Sequence, residues 1–246
     1  MRTSRPSIAE LRAATQPPSI FERNSGEHWA GKLYVRRFSP YLTRELIRTP
    51  LTPNGVTWLM ILSGLAAAAA LALDDGVLTA VAAVLLIQLQ ILFDCSDGEL
   101  ARWQQRSSPV GIYLDRLGHW ITEAALPIAL GIRVDEPVLG LVVAVLVLFV
   151  KGETALVHVA RTEAGLGKVE DTVGVAAPRA GLLATLRRSA GRLPFYRAFV
   201  AIEFTALALV AAILDEERTL LIVLVPVAAV TALGHLLAIL TSKRLR

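Results

Sequence analysis

The sequence predicts an all-α integral membrane protein, with six transmembrane helices preceded by a cytosolic interfacial helix. Three observations carry this. Hydrophobic residues make up 54% of the chain and mean hydropathy is +0.55. They gather in blocks long enough to cross a bilayer. Charged residues are only 19% and crowd between the blocks. The junctions also alternate in charge. Of 25 Lys and Arg, nine lie in residues 1–50, two are Arg102 and Arg106, seven run from Arg161 to Arg197, and three lie in residues 243–246. The intervening junctions hold only Arg133 and Arg218 and are acidic: Asp74-Asp75, Asp135-Glu136 and Asp215 to Glu217. Loops rich in Lys and Arg stay in the cytoplasm. Both termini and the links at 102–110 and 159–194 are therefore expected to be cytosolic, in a multi-pass protein of the cell membrane. The composition excludes a disordered chain and a soluble α/β enzyme. A single cysteine, Cys95, excludes a disulfide scaffold. The net charge of +4 is explained by membrane orientation and calls for no nucleic acid.

The elements follow in order. Residues 1–50 read as a polar, basic arm broken early by Pro6, Pro17 and Pro18, and the membrane domain occupies 51–246. Within the arm, about 27–48, Trp29, Leu33, Tyr34, Phe38, Tyr41, Leu42 and Leu46 recur at helical spacing, with Lys32, Arg36, Arg37 and Arg44 between them. That pattern suits a helix lying in the membrane interface or packed on the cytosolic ends of the spans. The apolar runs are 55–73, 77–94, 111–131, 137–158, 195–214 and 219–241. Ser108 is a good N-cap and Pro109 suits a first helical turn, so the third span starts there. Lys151 and Glu153 interrupt the fourth run, and Arg197 and Glu203 lie in the fifth. Charges inside apolar runs mark function, snorkelling or pairing across helices. His235 and His28 read as structural. Residues 162–192 read as a cytosolic loop with a short basic helix around 180–190.

Chemistry concentrates in residues 94–119. On a helix, steps of three and four return to one face. Asp94, Asp97, Gly98 and Ala101 share a stripe with Arg102 at its edge, and Gly111, Asp115, His119 and Glu123 form a stripe on the next helix. Two antiparallel helices bring three carboxylates and an imidazole toward one point near the cytosolic surface. Carboxylates in a membrane helix cost roughly 2.5–3.5 kcal/mol each at its centre. Convergent carboxylates call for a cation, and hard oxygen ligands point to Mg2+ or Mn2+. Gly98, Ala101 and Gly111 leave room for a planar or phosphate-bearing ligand, and Arg102 suits a phosphate oxygen. Together these suggest phosphoryl transfer. The bland alternative is a set of solvated helix-end acids paired with Arg102, Arg106 and Arg116. Arg116, Lys151 and Arg197 are candidates to hold a phosphate on an acceptor.

The segment resembles the signature of the CDP-alcohol phosphotransferase (CDP-alcohol phosphatidyltransferase) family, D-x2-D-G-x2-A-R-x8-G-x3-D-x3-D. Asp94, Asp97, Gly98, Ala101, Arg102, Gly111 and Asp115 match at that spacing. The resemblance extends to the six-span layout, the interfacial helix, and Pro53-Asn54-Gly55-Val56-Thr57 at the start of span one. It implies a multi-pass enzyme, commonly a homodimer. Such an enzyme moves a substituted phosphate from a CDP-linked donor, CDP-diacylglycerol or another CDP-alcohol, to an alcohol and releases CMP, in phospholipid or polyol-phosphate biosynthesis. It also implies metal binding by Asp94, Asp97 and Asp115, and a CDP site at Asp97, Gly98, Ala101, Arg102 and Gly111.

One position departs. The family's last aspartate, a metal ligand and base, is His119 here. Histidine is a competent base near neutral pH but a poor ligand for Mg2+, so His119 is a candidate both as the base, with Asp115 beside it, and as a metal ligand. Two other functions compete. A non-catalytic scaffold would retain the CDP pocket. An Asp-rich intramembrane prenyltransferase would need a second acidic motif, and the remaining acid clusters lie on the opposite side by charge.

Overall fold

The computed structural model describes residues 6–18, 30–74, 76–166 and 195–241. The basic helix expected near 180–190 lies outside the described residues, as do His28, Trp29 and the basic residues at 243–246. Among the described residues all regular structure is helical. In chain order the helices are α1 (Ile8–Thr15), α2 (Arg36–Leu46), α3 (Pro53–Leu73), α4 (Val77–Gln104), α5 (Pro109–Arg133), α6 (Pro137–Glu163), α7 (Ala201–Leu214) and α8 (Glu217–Thr241). A wide π-type turn, Gly31–Val35, leads into α2, and a tight 3-10 turn, Phe195–Phe199, precedes α7.

Four of these, α3, α4, α6 and α8, are long and apolar enough to cross a membrane. α5 has the length but carries Asp115, Arg116, His119 and Glu123. α7 is apolar but has 14 residues, a rise of about 21 Å at 1.5 Å per residue, short of a hydrocarbon core of about 30 Å.

The boundaries have local causes. Thr52 Oγ1 accepts the Gly55 amide at 3.1 Å ahead of Pro53, and Ser108 Oγ accepts the Gly111 amide at 3.0 Å ahead of Pro109. Helix ends close by one device. Gln105, Asp135 and Asp215 take positive φ after α4, α5 and α7. The next amide then returns to a carbonyl in the last turn: Arg106 to Ala101 at 2.9 Å, Glu136 to Gly131 at 2.7 Å, and Glu216 to Ala211 at 2.8 Å.

The chain forms two compact units. The first comprises Met1–Ala67 and Ala82–Thr122, the second Ala68–Val81 and Glu123–Arg246. In the first unit Val56, Leu100 and Leu46 make a buried cluster, with Leu42, Ile47, Leu51 and Phe93 against it. Gln90 on α4 donates to Thr122 on α5 at 3.0 Å, a buried tie between those helices. α1 packs on α2, and the arm is joined to α4 through polar groups. Pro40 has no N–H, so the Arg36 carbonyl loses its donor one turn on, and Gln16 Nε2 supplies one at 2.9 Å.

In the second unit the Arg133 side chain is fully buried. It donates to Glu217 Oε1 at 2.7 Å, Thr79 Oγ1 at 2.8 Å, the Gly76 carbonyl at 3.1 Å and the Leu71 carbonyl at 3.3 Å, and also to the Asp74 carbonyl. Carbonyls in the last turn of α3 have no partner within the helix, and one guanidinium fills that need. α5 and α6 approach closely where a Cβ at Gly140 would stand 2.4 Å from the Pro127 carbonyl. α8 packs on α6 and α7, and His235 Nδ1 meets the buried Glu153 Oε2 at 2.7 Å.

Candidate active site

The first unit holds a cavity of about 360 Å3. Asp94, Asp97, Gly98, Ala101 and Arg102 line it from α4, and Gly111 and Asp115 line it from α5. Every residue of the proposed donor site therefore faces one space. The three- and four-residue spacing dictates this, because each helix presents a single stripe.

Asp94, Asp115 and His119 each offer an atom within 4.8 Å of the others'. His119 Nε2 lies 3.2 Å from Asp94 Oδ1 and 3.7 Å from Asp115 Oδ1. Asp97 stands outside this trio but on the same cavity. It is 8% exposed, and its Oδ2 accepts the Thr57 hydroxyl at 2.6 Å. Two carboxylates gathered this closely repel unless a positive charge sits among them. The carboxylate oxygens fit a hard divalent cation such as Mg2+ or Mn2+, and the imidazole beside them either joins an Mn2+ ligand set or serves as a base.

Cations line the same cavity. The Arg102 guanidinium folds over Gly98, where an added Cβ would stand 3.1 Å from Nη1. Its Nε donates to the Thr15 carbonyl at the end of α1 at 2.6 Å. Its Nη2 is buried with no hydrogen-bond partner among the described residues. A buried guanidinium N–H in that state, on a cavity wall, fits an anionic ligand. Arg36 from α2 lines the same cavity.

The remaining candidates are placed differently. Arg116 is exposed on α5. Lys151 and Arg197 belong to the second unit, and each is paired there, Lys151 Nζ with Glu123 Oε2 at 2.8 Å and Arg197 Nη2 with Glu203 Oε1 at 2.8 Å. Lys151 is thus paired across helices, as Glu153 is with His235. The Lys151–Glu123 pair edges a smaller apolar cavity of about 170 Å3, walled by Val147, Val150, Phe199 and Ala228.

Sequence reasoning named Arg36, Asn54 and Thr57 without assigning them to the main cavity that they line, and it did not single out Glu99 behind it. Asn54 and Thr57 had a signal, since two polar side chains one turn apart open an apolar helix. Glu99 had none, because it sits among the signature residues without matching one.

A model of the CDP-alcohol phosphatidyltransferase family matches residues 50–230. No curated protein gives a significant match to the chain.

Proposed function

The chain belongs to the CDP-alcohol phosphatidyltransferase family, and on that premise we propose that it is a membrane transferase moving a substituted phosphate from a CDP-linked donor to an alcohol, with release of CMP. The observation that carries this is one cavity lined by Asp94, Asp97, Asp115 and Arg102, with His119 gathered beside Asp94 and Asp115. In this reading Asp94, Asp97 and Asp115 would hold a divalent cation, Mg2+ or Mn2+, which would supply positive charge against the diphosphate. Asp97, Gly98, Ala101, Arg102 and Gly111 line the CDP moiety. Thr57 fixes the Asp97 carboxylate, and Arg102 meets a phosphate oxygen.

His119 is the base. The acceptor hydroxyl gives its proton to Nε2 as its oxygen bonds to the donor's β-phosphorus. The bond from that phosphorus to the oxygen bridging the α-phosphate breaks, and CMP leaves with the electron pair. Asp94 and Asp115 stand beside Nε2, where they meet the charge the ring gains. Arg116, Lys151 and Arg197 are each proposed as candidates for a phosphate on the acceptor.

The alternation of basic and acidic junctions supports six spans over 51–246, with the active site and both termini cytosolic. The exposed Leu33, Phe38 and Tyr41 support an interfacial role for the arm. The family supports a second copy of the chain as partner, with lipid and the two substrates, in phospholipid or polyol-phosphate synthesis.

The test is incubation of the purified protein with CDP-diacylglycerol and other CDP-alcohols, each with candidate alcohols and Mg2+ or Mn2+. CMP release that needs both acceptor and metal is the expected result. Full release in EDTA, or none with any donor, would reject the reading.

A further inference from the structure

We propose that Arg36 is a second phosphate-binding cation of the donor cavity, and that Glu99 is the positioning residue that holds it there. This rests on the reading of that cavity as the CDP-donor site.

Glu99 lies between the signature residues Gly98 and Ala101. Two residues from Asp97, it points about 200° around α4, away from the cavity and into the arm. Its side chain is fully buried. Burying a carboxylate is costly unless its charge and lone pairs are met, and here they are met from two directions. Ser39 Oγ donates to Oε1 at 2.5 Å, Gln16 Nε2 donates to Oε1 at 2.8 Å, and Thr43 Oγ1 donates to Oε2 at 2.7 Å. The fourth partner is a charge, with Arg36 Nη1 3.6 Å from Oε1. Three neutral donors would fasten the arm by themselves. The cation is the part of the network that also lines the cavity.

The backbone at Arg36 is fixed as well. Its N–H returns to the Gly31 carbonyl across the wide turn, and its carbonyl takes Gln16 Nε2. The C-terminal end of α1 and the residue that caps it thus hold both arginines of the cavity: Thr15 takes Arg102, and Gln16 anchors Arg36. Two guanidiniums lining one cavity repel each other. A buried anion behind them and a dianionic or more highly charged ligand in front resolve that repulsion, and a nucleoside diphosphate supplies the second.

The experiment measures equilibrium binding of CDP, with Mg2+, to the purified full chain in detergent, together with KM and kcat for the CDP-linked donor. Arg36→Ala is expected to raise the Kd for CDP and the donor KM by about tenfold or more, with kcat within about twofold, because the contact holds donor and transition state alike. Arg36→Lys keeps the charge and recovers part of the loss. Glu99→Gln preserves shape but not charge, and should shift Kd and KM in the same direction. The Glu99→Gln/Arg36→Ala double variant should bind no more weakly than Arg36→Ala, since both remove one interaction.

An unchanged Kd in Arg36→Ala, with CMP release intact in the wild type, would overturn the inference and leave the donor reading standing. A Glu99→Gln protein that melts earlier yet binds CDP normally would make Glu99 a staple only and overturn its positioning role. If Glu99→Gln fails to fold, the Arg36 pair decides. A wild type that binds no CDP would overturn the inference and the donor reading together.

Discussion

Thr57→Val removes one hydroxyl and little else. Thr57 is 3% exposed, and valine keeps its volume, so the change leaves no cavity. What is lost is the 2.6 Å hydrogen bond to Asp97 Oδ2. The hydroxyl has a single proton, and its other acceptor, the Pro53 carbonyl, is farther away at 3.2 Å. The proton therefore belongs to the carboxylate. A hydrogen bond to a charged group contributes about 1.5–3 kcal/mol, and each 1.4 kcal/mol is about tenfold. If Asp97 holds metal and nucleotide, kcat/KM for the CDP-linked donor should fall about 10- to 100-fold. Thr57→Ser, which restores the donor, should recover most of it. Both variants should melt within a few degrees of the wild type, and CMP release is the assay. A Thr57→Val enzyme within twofold of wild type would refute the claim that this contact orients a working carboxylate.

His119→Ala should cost about 100-fold or more in CMP release, the usual effect of a positioned base, while His119→Asp should retain measurable turnover; an unaffected alanine variant would move the base elsewhere. Arg133→Met leaves Glu217 buried without its cation, a loss of about 3–5 kcal/mol readable as a lower thermal midpoint in detergent, and adding Glu217→Met should return part of that stability. Gly140→Ala puts a Cβ 2.4 Å from the Pro127 carbonyl and should destabilise by about 1–3 kcal/mol, seen in the same melt, with the donor KM unchanged. In a Cys95→Ala background, cysteines at 106 and 216 should differ in reactivity toward an impermeant thiol reagent added to intact cells, with only 216 labelled; labelling at 106 would reverse the orientation.

Local rules made part of this legible. The spacing from Asp94 to Asp115 holds the candidate residues that line one cavity, because helical periodicity puts those of each helix on one stripe. Ser108 and Pro109 announce the start of α5, and each works through its nearest neighbours. The groups that hold the cavity's side chains in place depend on contacts 40 to 90 residues apart in sequence, Thr57 to Asp97, Thr15 to Arg102 and Ser39 to Glu99. No periodicity encodes them. The arm shows the cost of assuming one helical period. The wide turn at Gly31–Val35 shifts the register before Arg36. Ser39 and Thr43 are buried against Glu99, whereas Phe38 and Tyr41 are exposed. Reading apolar residues alone finds the outer face and overlooks the polar one that attaches the arm. Arg133 was visible only as a rare cation in an acidic junction. Its partners come from four different segments.

The central claim is transfer of a phosphate group, as distinct from hydrolysis or binding. The most direct measurement follows a CDP-linked donor labelled with 32P in its β-phosphate, incubated with the wild type, an acceptor alcohol and Mn2+ or Mg2+. Label is expected in the alcohol product, with unlabelled CMP in equal amount and loss of both in Asp97→Asn. Label appearing in water-hydrolysed phosphate, or remaining in the intact donor with every alcohol offered, would contradict it.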